Sequence, residues 1–531
     1  MPKKSKSRTI DKEDVLLLLG KGKKGIWRIF FSRTTFIFLM FAIQAVIVFL
    51  ALYKFSEYLL SFFVVSLLIS SFMIVKIVNS PSNPAVKITW ISIFALFPAL
   101  AILFYVYIEN DVGFRLVKSN LSDILMKTRK YMPNTHHLHE EVYFKSRHLY
   151  NLSSYMEKYG YAPIYENAGM EYFPSGEKFF ERLIEELQKA EKFIFIETFI
   201  ISEGYMWGRI LKILKEKAEA GVEVSVLYDG TCAFTNLPYG YPHQLSRLKI
   251  KCKMFSPILP FVSSHYNNRD HRKIVIVDGH TAFTGGVNLA DEYINMKTVH
   301  GHWKDAGLMF RGSAVKSFTL LFLQMWNIGE KNLDYDKFMN TILPPQKKER
   351  GYIIPYGDSP LDSELVGEAV YLDIINNAED YVYIMTPYLI LDHEIITALG
   401  LASKRGVDVR IIMPHKPDKK TIFMLSRSYY RELMNAGVKI YEYLPGFVHS
   451  KVFVSDDMRA VVGTINLDYR SFYHHFECGC YFYDSSVIQD IEADFQRTLE
   501  DCQEVTMEYY KKLPLYQKLI GTLFKLIAPL M

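Results

Sequence analysis

HRKIVIVDGHTAFTGGVN, beginning at His271, and HSKVFVSDDMRAVVGTIN, beginning at His449, are two copies of one pattern. In both, a Lys, an Asp, a Gly and an Asn follow the His at offsets of 2, 7, 14 and 17. These are Lys273, Asp278, Gly285 and Asn288 in the first copy, and Lys451, Asp456, Gly463 and Asn466 in the second. Agreement at every spacing marks a duplicated unit rather than two accidents. The surroundings repeat as well. Residues 192–198 (KFIFIET) read as a strand, 207–220 as a helix and 222–228 as the next strand; the same order returns as a strand at 381–385, a helix ending near Lys404 and a strand at 407–413. The expected fold is α/β, with two similar lobes of mixed sheet flanked by helices that face each other across a pseudo-twofold axis. One His from each lobe then meets at a shared cleft.

The residue types in this pattern suit phosphorus chemistry. In extended chain, residues two apart project from one face, so each His is expected beside its Lys. Asp278 and Asp456 sit at an odd offset, at a strand end, which suits an orienting or structural carboxylate. Asn288 and Asn466 follow a Gly-containing turn and add amide donors. Two lysines and two asparagines facing one cleft make a cationic pocket for a phosphodiester anion. One neutral imidazole can attack phosphorus while a second, protonated one supplies the leaving alkoxide with its proton.

Composition places part of the chain in lipid. Half of the 531 residues are hydrophobic, and the net charge of +5 is too mild for a chain coated with cations to bind nucleic acid. Three long apolar stretches lie near 34–53, 58–75 and 88–108, each approaching the roughly 20 residues that cross a bilayer core. They are preceded by a Lys- and Arg-rich segment that holds the N-terminus in the cytoplasm. Pro98 is expected to kink the third. If all three stretches span, the large C-terminal part lies outside the cytoplasm; if one is re-entrant or interfacial, it lies inside. His136, His137 and His139 fall in a polar stretch read as a solvated linker, and the five cysteines lack the spacing of a zinc site or a disulfide framework. FSPILPFV, residues 255–262, reads either as an entry for acyl chains or as a buried loop. YQKLIGTLFKLIAPLM, 516–531, reads as an interfacial helix.

HxKxxxxD followed by Gly and Asn, present twice, resembles the signature of the phospholipase D superfamily, and the resemblance covers everything from about Asn167 onward. Smaller matches point to its bacterial cardiolipin synthase branch: Asn268, Arg269 and Asp270; GGVNLADEY from Gly285; TPYLI from Thr386; and GTINLDYRSF from Gly463, followed by Phe476 and Glu477. The resemblance implies His271 as nucleophile and His449 as general acid and base, an assignment that pseudo-symmetry makes reversible. It implies Lys273, Lys451, Asp278 and Asp456 as the rest of the catalytic signature, with Asn288 and Asn466 binding the substrate phosphate. Glu477 is the carboxylate expected to orient the His of the second motif. Asp305, in HWKDAG, is expected to serve the first, with Lys304 standing where the family usually has Arg.

The implied reaction transfers a phosphatidyl group from one phosphatidylglycerol to another, giving cardiolipin and glycerol through a phosphohistidine, with no cofactor and no metal. Hydrolysis to phosphatidic acid, or transfer to another head group, is the alternative on the same site; a nuclease or a non-catalytic lipid-binding scaffold is a more distant one. The expected partners are phosphatidylglycerol and membrane lipid, without nucleic acid, and self-association is left open. The expected location is the cell membrane, multi-pass. The expected divisions are a basic segment at 1–33, a transmembrane region of about three helices at 34–108, a linker at 109–166, phospholipase D-like lobes at 167–340 and 341–510, and an amphipathic tail at 511–531.

Overall fold

The computed structural model describes residues 15–18, 46, 49, 53, 58–109, 112–257, 268–328, 330, 334–344, 348–362 and 364–530. Nearly all of the basic N-terminal segment, most of the first apolar stretch and the greater part of the apolar segment 255–262 lie outside the described residues. The chain forms two compact units, one made chiefly of residues 17–111 and the other of Val112–Pro529.

Within the larger unit, each repeat builds one sheet, and the two sheets have the same plan. The first comprises β1 (Met170–Phe173), β2 (Phe193–Thr198), β3 (Glu223–Asp229), β4 (Lys251–Phe255), β5 (Ile274–Val277), β6 (Thr281–Gly285) and β7 (Gly307–Arg311), in the order β1-β7-β6-β5-β2-β3-β4. The second comprises β8 (Tyr352–Asp358), β9 (Tyr381–Met385), β10 (Asp408–Pro414), β11 (Lys439–Tyr443), β12 (Val452–Ser455), β13 (Arg459–Gly463) and β14 (His475–Tyr483), in the order β8-β14-β13-β12-β9-β10-β11. Short strands at Tyr165–Glu166 and Cys502–Glu504 extend its edges. β2, β3 and β4 run parallel and the rest antiparallel, and the same division holds for β9, β10 and β11. The central strands are buried on both faces, which is why FIFIET and YVYIM read as near-continuous apolar runs rather than alternations.

The repeated glycines set how closely these strands approach. Gly285 pairs with Gly307 across β6 and β7, and Gly463 pairs with Gly479 across β13 and β14. A Cβ on Gly285 would lie 2.4 Å from the carbonyl oxygen of Ala306, and one on Gly463 would lie 2.6 Å from that of Cys478. No side chain fits at either position without moving backbone.

The two lobes share one core. Phe195, Ile274 and Ile276 of the first sheet, Val452, Val462 and Phe482 of the second, and Phe318 and Phe322 of the helix Val315–Trp326 belong to a single buried cluster. The segment expected to be a solvated linker is instead largely helical and packed. It forms helices Val112–Thr128, His136–Lys145 and Arg147–Gly160, and buries Leu138, Val142, Leu149 and Met156. Of its histidines, His139 is held locally, 2.5 Å from Glu157.

In the smaller unit, Leu60–Val78 is long and apolar enough to cross a bilayer, and most of its side chains point outward. The third apolar stretch does not form one long helix. Phe97 breaks it into Pro84–Leu96 and Pro98–Glu109, because Pro98 has no N–H to donate and the residue before a proline avoids the helical region. These pieces pack on Leu60–Val78 around Ile77, Trp90, Phe94, Ala101 and Tyr105, with the Trp90 and Tyr105 rings edge-on at 5.2 Å.

Candidate active site

Neither HxK tripeptide lies in a ladder of its own sheet. Each is the crossing point between a short strand paired to the opposite lobe and a longer strand of its own. Arg269–Asp270 pairs with His475–Phe476 of the second lobe before the chain enters β5. Gly446–Val448 pairs with His302–Lys304 of the first lobe before the chain enters β12. The backbone N–H of His271 donates to the carbonyl of Phe476 at 2.9 Å, and that of His449 to the carbonyl of Lys304 at 2.7 Å.

The residue after each of those carbonyls is a carboxylate, and this decides the pairing. Nδ1 of His271 lies 2.9 Å from both oxygens of Glu477, and Nδ1 of His449 lies 2.8 Å from Asp305. Each imidazole is therefore oriented by the opposite lobe. The expectation that Glu477 serves the second motif and Asp305 the first is corrected: proximity in sequence suggested it, and the exchange of short strands reverses it. Both carboxylates are fully buried and further held. Thr464 Oγ1 donates to Glu477 at 2.5 Å; the N–H of Ala306 and the Trp303 indole donate to Asp305 at 2.9 and 3.3 Å. Gly286 leaves room for this arrangement, since a Cβ there would lie 2.0 Å from an Asp305 oxygen.

An imidazole whose Nδ1–H donates to a carboxylate presents a bare Nε2 for attack when neutral, and an Nε2 proton to give away when protonated. Burial, then the Lys273, Lys451 and His449 charges, push the His271 pKa well below its usual range. Burial and Lys451 bring His449 down to about 4, against an opposing pull from Asp305. Although burial raises the Asp305 carboxyl, its partnership with His449 outweighs this and leaves it below the ordinary value. Lys273 and Lys451 are buried, which lowers them to about 8 and about 7. Each ammonium donates to the backbone carbonyl of its own motif's His, Lys273 at 2.7 Å.

Asp278 and Asp456 are not brought to the imidazoles. Asp278 closes the hairpin at the far end of β5 and accepts three backbone N–H bonds, from Glu191, Lys192 and Phe193, at 2.6 to 2.8 Å. Asp456 accepts the matching three from Glu379, Asp380 and Tyr381 at 2.9 to 3.1 Å. Both adopt φ of 53°, the left-handed conformation that short polar residues tolerate at a hairpin turn. They clamp the start of β2 and of β9. Asn288 is also committed, donating to Tyr293 Oη at 2.8 Å and accepting from the N–H of Ile200 at 3.1 Å. Asn466, by contrast, keeps a buried Oδ1 without a partner. Lys304, at the place where Arg was expected, is tied to Asp494 at 2.7 Å and to the Pro174 carbonyl.

One residue escaped the sequence reading. His475, 7% exposed, sits with its ring 5.2 Å from that of His271 and its Nδ1 3.5 Å from Glu477. Burial brings its pKa down to about 3. The only signal was its place two residues before Glu477. His271, His475 and Glu477 bring three ligand atoms within 4.8 Å of one another, as do Glu368, Asp392 and Glu394 elsewhere in the second lobe. A cation at the first group would compete for the proton between His271 and Glu477. At the second, burial and the neighbouring Asp392 raise the Glu368 carboxyl above its ordinary value.

The chain is similar to known proteins over both lobes. The family described as "Cardiolipin synthase, PLD-like domain" matches residues 183–300 and 371–499, one match per lobe. The cardiolipin synthase of Alkalihalophilus pseudofirmus is 32% identical over 85% of this chain and 90% of its own length. That of Geobacillus kaustophilus is 32% identical over 87% and 92%. An uncharacterised protein of Streptococcus mutans is 49% identical over 86% of this chain and 99% of its own. Among solved structures, the phosphatidylserine synthase of Haemophilus influenzae matches 72% of this chain and 98% of its own with a TM-score of 0.55 at 16% identity, a likeness of fold. With two matched lobes and relatives aligned over most of their length, the chain belongs to the cardiolipin synthase family of the phospholipase D superfamily and is a phosphatidyltransferase.

Proposed function

We propose that the chain makes cardiolipin by moving a phosphatidyl group from one phosphatidylglycerol to the head-group hydroxyl of another. His271 Nε2 attacks phosphorus; the bond from phosphorus to the departing glycerol oxygen breaks, and His449, which enters the cycle in its protonated form, gives that oxygen its Nε2 proton. The phosphohistidine then meets the second phosphatidylglycerol. His449 takes the proton from its hydroxyl, the oxygen bonds to phosphorus, and His271 leaves with its lone pair restored. Lys273 and Lys451 stabilise charge on the non-bridging oxygens, and the Asn466 amide is assigned to the same phosphate. One phosphodiester replaces another, so no nucleotide is required.

The observation that carries this reading is the pair of buried imidazoles, each backed at Nδ1 by a carboxylate from the other lobe. The roles follow from their surroundings. Burial and the neighbouring lysines hold His271 toward its neutral form, which suits the nucleophile; the Asp305 carboxylate opposes the fall of the His449 pKa, which suits the acid and base. Their burial, at 6% and 7% exposure, favours an alcohol acceptor over bulk water. The test is conversion of labelled phosphatidylglycerol in liposomes by the purified chain without nucleotide. Cardiolipin and free glycerol in equal amounts support transfer, and phosphatidic acid alone sinks it in favour of hydrolysis. An acid-labile phosphoryl adduct that persists in the His449→Ala chain and is absent in His271→Ala supports the assignment; the reverse pattern exchanges the two roles.

The same reading places the chain in the membrane as a multi-pass protein, through the stretch at 34–53, the helix Leu60–Val78 and the broken pair Pro84–Leu96 and Pro98–Glu109. The outward apolar side chains of Leu60–Val78 support it. Labelling of single cysteines placed at 81 and at 120, in sealed vesicles, reports which loops share a side.

A further inference from the structure

The helix Leu515–Lys525 packs against Lys420–Asn435, but by the side opposite to that of an ordinary amphipathic helix. Its one buried residue is Gly521, where a Cβ would lie 2.4 Å from the carbonyl oxygen of Met424. On the same side the Lys525 ammonium sits 3.9 Å over the Tyr429 ring. The leucines point the other way: Leu515, Leu519 and Leu523, one turn apart, are 71, 56 and 69% exposed, flanked by exposed Tyr516. Leaving three leucines in water forgoes the stabilisation that burying them would bring. A helix that seats a glycine and turns its leucines outward is built to meet something apolar.

Lysines border that stripe. Lys511 and Lys512 end the preceding helix Met507–Lys512, and Lys518 lies alongside, its ammonium donating to the Lys511 carbonyl at 2.8 Å. We propose that this face lays the catalytic unit on an anionic lipid surface. Leu515, Leu519 and Leu523 enter the boundary of acyl chains and head groups, and Lys511, Lys512 and Lys518 lie among lipid phosphates. A second copy of the chain is the poorer occupant, because a twofold contact would set the lysine border against itself. The same chain carries a helix able to cross a bilayer, so a lipid surface is at hand.

The kinetic test rests on the transfer reading above. The full chain and its Leu519→Glu/Leu523→Glu form are compared on vesicles of phosphatidylglycerol and phosphatidylcholine, and on monomeric dihexanoyl phosphatidylglycerol. The expected result is a loss of about tenfold on vesicles with turnover of the monomeric lipid kept. Equal rates on vesicles overturn the proposal. A second measurement needs no turnover: Leu519→Trp in the reconstituted chain is expected to be quenched by brominated phosphatidylglycerol beyond the quenching of the parent. Absence of that excess overturns the proposal whatever the kinetics give, and disulfide-linked dimers of Leu519→Cys without quenching make a second copy the occupant. Failure of the parent on both lipids, with the excess quenching present, removes the transfer reading and keeps the docking surface.

Discussion

His449 and Asp305 lie 144 residues apart in the chain and in different lobes, yet Nδ1 of the one is 2.8 Å from a carboxylate oxygen of the other. His271 and Glu477, 206 residues apart, repeat the relationship with the lobes exchanged. Neither lobe alone holds an oriented imidazole. The candidate site exists only when the two are joined.

This pairing separates the roles of the two carboxylates. Asp305→Asn is expected to lower kcat by roughly 10²- to 10⁴-fold, because an amide cannot hold the imidazole in the same tautomer or stabilise its charged form. If His449 is the acid, the deficit shrinks for a donor whose leaving group needs no proton, such as a p-nitrophenyl phosphatidyl ester. Glu477→Gln is expected to keep its full deficit with that donor. Equal rescue of both variants would refute the division of labour.

Asp278 and Asp456 belong to stability. Each satisfies three backbone N–H groups at the start of a central strand. Asp278→Asn is expected to cost about 1–3 kcal/mol of unfolding free energy while the folded fraction keeps its kcat within about threefold. Denaturant unfolding alongside activity per folded molecule checks it. A large loss of kcat at unchanged stability would return this residue to the chemistry.

The two buried lysines predict an alkaline limb. Their pKa values of about 8 and about 7 mean that the free cleft loses positive charge as pH rises through that range. Since kcat/KM reports the free enzyme, it is expected to fall above neutral pH for an anionic phosphodiester. Lys451→Arg keeps its charge and is expected to move the limb upward, whatever it does to the maximum rate. An unmoved limb would assign it to another group.

Acid is expected to destabilise the fold through its buried histidines. His475 is held at about 3, below the ordinary value of about 6.5, so the unfolded chain takes up the proton first on acidification. Its neutral form costs nothing above pH 6.5, and stability is lost progressively as pH falls from there toward 3. In His475→Asn, the drop in Tm between pH 6.5 and 4 is expected to be smaller than in the parent. Parallel curves would show that His475 takes no part in it.

Gly286 is expected to tolerate nothing larger. In Gly286→Ala the new methyl must displace the Asp305 carboxylate or the His449 backbone, so activity is expected to fall by at least about 100-fold with a modest loss of stability. A crystal structure of the variant would show the shifted carboxylate.

Much of this was legible in the chain because it is local. The equal spacing of His, Lys, Asp, Gly and Asn in two copies carries the duplication and the two similar lobes. The β-branched and aromatic runs locate the central strands to within a residue or two, and Pro98 marks the break in the third apolar stretch. The packed helices between Val112 and Gly160 were misread as a solvated linker because their burial comes from partners far along the chain, which local polarity does not reveal.

The chemistry-bearing residue types and their spacing followed from sequence alone, since backbone periodicity and the demands of phosphoryl transfer act over a few residues. Which carboxylate serves which imidazole, the commitment of Asp278, Asp456 and Asn288 to backbone and neighbours, and the presence of His475 beside His271 were decided only in three dimensions. The physical reason is the exchange of short strands between lobes: it brings together groups some 140 to 210 residues apart, through hydrogen bonds that no local pattern encodes.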